Sequence, residues 1–316
     1  MPGIMANLGR TLAWSGLAVG GVGSLCVLYG TAIERRWYRS RRYRLDSLPR
    51  GSSALTILHL SDLHFVRGDA RKARFLSSLP RPDLTVLTGD VLGEPRAVED
   101  AVAALSPVRG RFGSYVVLGS NDYFAPRPLN YANYFRKRRR RRAGIRGRSA
   151  DLVRLLEADG WTYLRNGREV VNAGGTRVEV LGLDDPHIER HDLRVAPRTE
   201  PDAFGLAVVH SPDPAPELAA LGYDLVLSGH THGGQVRLPG VGALVTNSDI
   251  PTRLAMGLSR LGPTLLHVSP GLGTSKFAPF RFLCRPEATL MELAPQTGPD
   301  QPAAGDSAVA RSNARS

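Results

Sequence analysis

The 316-residue chain is long enough for one large α/β domain with appendages, or at most two domains. Its formal net charge of +12 is concentrated in two places, Arg35, Arg36, Arg39, Arg41, Arg42 and Arg44, and the unbroken basic run from Arg136 to Arg142, so that the remainder is close to neutral. This argues against a generally basic nucleic-acid-binding surface, and two cysteines, Cys26 and Cys284, exclude a disulfide framework.

No charged residue lies between Arg10 and Glu34, and residues 11–33 are rich in Leu, Val, Ala and Gly. As a helix this stretch crosses about 30 Å of hydrocarbon, and it reads as a single transmembrane span rather than as a cleaved signal peptide, whose apolar region is shorter. One arginine precedes it and six follow closely, an asymmetry that predicts a single-pass protein of the cell membrane with residues 34 onward in the cytoplasm. Residues 34–53 then read as a basic juxtamembrane linker suited to an anionic membrane surface.

The globular pattern opens at Leu55-Thr56-Ile57-Leu58-His59-Leu60, a continuously apolar run of the buried-strand kind that stops at Ser61-Asp62-Leu63-His64. A helix over 70–79, a strand over 84–88 ending in Gly89-Asp90, a helix over 96–105 and a strand over 114–118 ending in Gly119-Ser120-Asn121-Asp122 repeat the pattern. This is a βαβ rhythm, in which the loops at the carboxyl ends of the strands carry the site. Residues 123–148 break it with prolines, aromatics and the arginine run, which reads either as a solvated insertion or as an arm that binds phosphate-bearing lipid or a polyanionic substrate.

A helix over 149–159 resumes the fold, and strands near 161–164, 169–172 and 177–183 suggest a more antiparallel second sheet. The strand 205–209 delivers His210, and the strand 224–228 delivers Gly229-His230-Thr231-His232-Gly233. Strands at 264–268 and 287–293 close a domain spanning 54–294, and 295–316 has the composition of a disordered tail. His59 and His267 lie inside strands and read as packed side chains.

Asp62, His64, Asp90, His210, His230 and His232 each follow an apolar strand by a few residues, which gathers imidazoles and carboxylates at one end of a sheet. These are donors that a hard or borderline divalent ion prefers, and a carboxylate such as Asp90 can bridge two ions. Two ions about 3.5–4 Å apart clamp a phosphoryl group, lower the pKa of a water between them and stabilise an in-line transition state.

At this point the chain resembles a known family. Asp62-x-His64, Gly89-Asp90, Gly119-Ser120-Asn121-Asp122, His210 and Gly229-His230-x-His232 are similar, in order and spacing, to the five blocks of the calcineurin-like metallophosphoesterases, over about residues 55–293. With the apolar stretch before the first block, the likeness is to the membrane-associated bacterial phosphodiesterase branch. The resemblance implies an α/β fold of two packed mixed β-sheets flanked by helices, a four-layer sandwich, here with one N-terminal transmembrane helix. It implies that Asp62, His64 and His232 hold one ion, that Asp90 bridges, and that His210 and His230 hold the other. Manganese or iron are the usual occupants, with zinc as an alternative.

The third block departs from the family's Gly-Asn-His-Asp/Glu. Ser120 stands where the amide ligand is expected and Asn121 where the histidine near the leaving group is expected. Either the second site is weakened, or a one-residue shift lets Asn121 supply the amide oxygen. In both cases the usual acid is missing, which favours a substrate with a good leaving group or a replacement proton donor, and His187 in Asp184-Asp185-Pro186-His187 is the first candidate. Asp184-Asp185 reads either as an extra cation site or as a turn before a proline.

The function expected from these residues is that of a membrane-anchored, dimetal phosphohydrolase acting on a phosphodiester or pyrophosphate, with a phospholipid or lipid-linked pyrophosphate as the envisaged substrate and nucleic acid disfavoured. The competing reading is a membrane-tethered metal- or anion-binding module whose catalysis was lost with the third block.

Overall fold

Apolar runs with few charges leave no solvated face, and they become the buried strands of two sheets packed against each other. The computed structural model describes residues 14–15, 20–126 and 146–296. In chain order its strands are β1 (Arg39–Leu48), β2 (Leu55–Leu60), β3 (Leu84–Thr88), β4 (Gly113–Val117), β5 (Thr162–Tyr163), β6 (Gly167–Ala173), β7 (Thr176–Leu183), β8 (Phe204–Val209), β9 (Leu225–Ser228), β10 (Arg237–Leu238), β11 (Gly242–Ala243), β12 (Gly257–Leu261), β13 (Thr264–Val268) and β14 (Glu287–Pro295). The first sheet has the order β1-β14-β2-β3-β4-β5 and the second β12-β13-β9-β8-β7-β6, while β10 and β11 form a separate ribbon.

Side chains alternate across each sheet, so one strand feeds two cores. Ile57, Val86, Tyr115 and Val117 of the first sheet meet Val180, Leu206, Val208 and Leu227 of the second. The opposite face of the first sheet, with Leu58, Leu60, Leu87 and Val116, is covered by the helices Ala70–Ser77, Val98–Leu105 and Ser149–Ala158. The outer face of the second, with Leu181, Val209 and Val226, packs on Leu218 of the helix Ala215–Ala220. The layers are therefore helix, sheet, sheet, helix, as the resemblance implies. His59 and His267, each the last residue but one of its strand, are fully buried, and their Nδ1 atoms lie 2.9 Å apart between the sheets.

The expected antiparallel character of the second sheet holds only at its edges. β7, β8, β9 and β13 run parallel, and only β6 and β12 pair antiparallel with their neighbours. Parallel β2, β3 and β4 in the first sheet complete two sets of parallel strands. The loops after these strands form the site described below.

The N-terminal expectation is overturned. Among the described residues no helix is long and apolar enough to cross a membrane. Residues 11–13 and 16–19 of the expected span lie outside the described residues, and so do 127–145, with the arginine run, and 297–316. Within the described part, the helical residues 20–28 lead into a π-turn at Tyr29–Ile33 and a 3₁₀ turn at Glu34–Arg36 that are docked on the domain. Gly30 is buried so closely that an added Cβ would strike the Phe280 ring and the Arg281 carbonyl. Glu34 is buried and accepts hydrogen bonds from the backbone N–H groups of Leu283, at 2.9 Å, and Cys284, at 2.5 Å. Residues 34–53, expected as a linker, contain β1, whose basic residues Arg39 and Arg41 pair with the buried Glu287 at 2.7 and 2.9 Å.

An uncharged apolar stretch looks the same in sequence whether lipid or protein covers it; here its end is held by protein. The single-pass topology, the cytoplasmic placement, the membrane-surface and lipid partners, and the likeness to a membrane-associated branch all rested on that span, and they are withdrawn with it.

Replacing Glu34 by alanine leaves two buried N–H groups without an acceptor, each costing about 1–3 kcal/mol locally. Limited trypsin digestion is expected to cut at Arg35 and Arg36 roughly tenfold faster in Glu34→Ala than in the parent, because opening of the segment becomes more frequent. Equal cutting rates would mean that Glu34 does not hold the segment.

Candidate metal centre

Every residue proposed from the sequence as a ligand sits just beyond the carboxyl end of a parallel strand: Asp62 and His64 after β2, Asp90 after β3, Asn121 after β4, His210 after β8, His230 and His232 after β9. Asp62, His64, Asp90, His230 and His232 all adopt left-handed backbone conformations, with φ between 43° and 67°. Such a conformation costs a non-glycine residue on the order of 1–3 kcal/mol and persists only where the surroundings enforce it, typically at functional sites. Five strained residues around one point are a strong mark of function.

One donor atom from each of Asp62, His64, Asp90 and His232 lies within 4.8 Å of the others. The Nε2 atoms of His64 and His232 are 3.2 Å apart, with Asp62 Oδ1 3.4 Å from His232 Nε2 and Asp90 Oδ2 3.6 Å from His64 Nε2. On the other side of Asp90, Oδ1 lies 3.6 Å from His210 Nε2, which is 3.2 Å from His230 Nδ1. Asp90 is thus flanked by two imidazole pairs. Asn121, rather than Ser120, engages it: the Asn121 N–H donates to Oδ1 at 2.9 Å and its side-chain amide to Oδ2 at 2.5 Å.

These residues fit divalent cations. The His210 Nδ1–H donates to the Thr88 carbonyl at 2.7 Å and the His230 Nε2–H to the Asn247 carbonyl at 3.1 Å. Those bonds turn the other nitrogen of each ring toward the other ring, 3.2 Å away, an arrangement that a cation between the two rings satisfies. Asp62 Oδ1 is buried with no hydrogen-bond partner, although its sister oxygen accepts from Ser61 Oγ and the His230 N–H. The donor set, imidazole with carboxylate, suits zinc, iron or manganese.

The electrostatics agree for His64, His230 and His232. Burial pushes His64 down to about 4 and carries His230 and His232 well below the ordinary range, so these rings present lone pairs rather than positive charge. Burial acts the same way on His210, but the carboxylates of Asp90, Asp185 and Asp62 outweigh it and raise His210 to about 9. Burial opposes ionisation of Asp90 as well, yet His210, His64 and the Asn121 hydrogen bonds hold its carboxyl below the usual range. Asp62 is raised, chiefly by burial.

His187 lies beside the second imidazole pair, its ring centroid 4.3 Å from that of His230. Asp185, read from the sequence as part of an extra cation site or of a turn, is fully buried, with one oxygen accepting from the backbone N–H of His187 at 2.8 Å and the other unpartnered. Burial first, and then the nearby Asp90 charge against the pull of His210, raise its carboxyl to about 7. It follows the end of β7, so the strand-end rule that found the ligands would also have found it. Asp184 instead makes structural contacts with Tyr123, Arg190 and Arg165.

Two buried cations escaped the sequence reading. Arg281 is fully buried and donates to the carbonyls of Pro270, Gly271, Gly273 and Cys284 at 2.6–3.3 Å, fixing the loop after β13. That loop presses on the site: a Cβ on Gly271, at φ +73°, would lie 2.6 Å from the Cβ of Asp62. Lys72 donates to the carbonyls of Leu63 and His64 from the side. Neither cation follows a strand, and nothing in the local sequence announces them.

Residues 55–234, more than half of the chain, match the calcineurin-like phosphoesterase family. The chain is 28% identical over 276 residues to the uncharacterized metallophosphoesterase YkuE of Bacillus subtilis (strain 168), covering 84% of this chain and 88% of that protein. It is 27% identical over 266 residues to the phosphodiesterase YaeI of Escherichia coli (strain K12), covering 82% and 90%. Similarity extends to the UDP-2,3-diacylglucosamine pyrophosphatase LpxG of Chlamydia trachomatis serovar D, 28% identical over 282 residues, covering 75% of this chain and 83% of that protein. With the metal-ligand cluster in place and the match running through it, the chain belongs to the calcineurin-like phosphoesterase family and is a metal-dependent phosphoric ester hydrolase.

Proposed function

We propose that the chain hydrolyses a phosphodiester or pyrophosphate bond with two divalent ions, one held by Asp62, His64 and His232 and the other by Asn121, His210 and His230, with Asp90 shared between them. Manganese or iron are the occupants this donor set favours, with zinc as the alternative. The observation that supports the reading is Asp90 itself: its two oxygens are each 3.6 Å from an imidazole nitrogen belonging to a different pair. The relatives named above include both a phosphodiesterase and a pyrophosphatase, which agree with attack at a phosphorus that carries two linkages.

When bound, the ions supply Lewis acidity at the phosphoryl oxygens and lower the pKa of the attacking water. The chain's own groups do the positioning. Ser61 and the His230 N–H hold one oxygen of Asp62 so that the other points at His232, Asn121 holds both oxygens of Asp90, and the carbonyls of Thr88 and Asn247 fix the tautomers of His210 and His230. His187 is the proposed proton source for the leaving oxygen; Asp185 accepts from its backbone N–H and so holds the turn that carries it. Asn121 takes the amide-ligand role that the serine at position 120 leaves open.

The manganese-loaded full chain is expected to hydrolyse bis(p-nitrophenyl) phosphate, with turnover abolished by metal stripping and reduced by at least about 10³-fold in Asp90→Asn, as removal of a shared electrostatic anchor implies. Unchanged turnover in Asp90→Asn would refute the assignment. His187→Ala is expected to slow an alkyl phosphodiester by roughly 10²–10⁴-fold while slowing the activated aryl ester much less, because general acid assistance matters most for poor leaving groups. Equal slowing of both esters would remove His187 as the acid.

A further inference from the structure

A cavity of about 490 Å³ opens beside the cluster, with His64 in its wall. One side is built by Arg67 and Arg71, from the loop after β2 and the helix that follows it. The other is built by Arg35 and Arg36, from the N-terminal segment that Glu34 docks on the domain. Lys72 and Lys276 complete the lining cations, and both are committed elsewhere: Lys72 pairs with Asp69 at 2.9 Å, and Lys276 with Glu94 at 2.9 Å. Asp69 is the only carboxylate in the lining.

The four guanidinium groups have no such partners. Among the described residues the side chains of Arg36, Arg67 and Arg71 make no ion pair, and the Nε of Arg35 is buried without a hydrogen-bond acceptor. Burial, and then the charge of Arg36, push the Arg35 guanidinium down from its ordinary range. Like charges gathered around one cavity repel, and Arg35 is partly desolvated as well; a multiply charged anion offsets both, and the planar fork of arginine matches phosphate oxygens.

We propose that this cleft is a second-phosphate subsite: it holds a phosphate of the substrate adjacent to the phosphorus that reacts, and so selects pyrophosphate-like substrates over those with a single phosphate. The inference rests on the proposed function only for the location of the reacting phosphorus at the metal cluster. It gives the N-terminal segment a role that composition did not suggest, as one wall of the substrate site.

The test is calorimetric titration of the metal-free full chain with methylenediphosphonate and with methylphosphonate, so that binding is read without turnover and without chelation of the site's own ions. The diphosphonate is expected to bind at least about tenfold more tightly, the ratio that one charge-assisted contact supplies. Two double variants, Arg67→Ala with Arg71→Ala and Arg35→Ala with Arg36→Ala, are each expected to bring the ratio close to one. Their targets are exposed or half-buried side chains, and circular dichroism checks that each variant is folded. A parent chain that does not discriminate, or a ratio that survives in either variant, overturns the two-walled subsite. Discrimination without hydrolysis of any ester by the metal-loaded parent leaves the subsite standing and refutes the proposed function instead.

Discussion

The site depends on the level at which two sets of parallel strands end. β2, β3 and β4 in one sheet and β7, β8, β9 and β13 in the other stop beneath a shared rim, and the sheets pack closely enough that a loop from one reaches a carboxylate of the other. The hydrogen bond from the His230 N–H to Asp62 is that contact. It ties the turn after β9 to the turn after β2, and it leaves one Asp62 oxygen free for a cation. A sheet displaced by one residue would flip every side chain on its strands and dissolve the cluster.

The strain at this rim has a source in the same packing. Five ligand candidates in left-handed conformations cannot be stable in isolation, and they are held by groups that do no chemistry. Arg281 ties the 270–273 carbonyls together, Lys72 ties those of Leu63 and His64, and Asp122 accepts from the N–H groups of Gly119 and Leu92. Burying a guanidinium is expensive unless its donors are used, and Arg281 places both of its terminal nitrogens on backbone carbonyls, four in all, while its Nε finds no acceptor. The outcome is a preorganised centre in which imidazole tautomers and carboxylate orientations are set before any ligand arrives.

The departure in the third block, serine and asparagine where the family's pattern has asparagine and histidine, still places a side-chain amide beside Asp90. Asn121 sits in the first turn of the short helix Ser120–Tyr123, where its N–H and its amide both reach Asp90. His187 and Asp185 approach from β7 on the second sheet, on the same side as the altered block.

What the sequence determined was whatever depends on local pattern. Continuous apolar runs mark buried strands, polar turns mark their ends, and chemistry-bearing residues at those ends mark the rim, so Asp62, His64, Asp90, His210, His230 and His232 were legible from spacing and the family from their order. What tertiary structure alone decided was where nonlocal contacts outweigh composition. The apolar stretch before Glu34 reads as a membrane span because hydropathy does not record what covers a side chain, whereas Gly30 against Phe280 and Glu34 against Cys284 are contacts between residues about 250 positions apart. The basic residues of β1 read as a linker because a strand paired to the far end of the chain leaves no periodic trace when its partners are the carboxylates of Glu287 and Glu292. Arg281 acquires its meaning only from the loops that fold over it, since burial of a charge is a property of its surroundings and not of its neighbours in sequence.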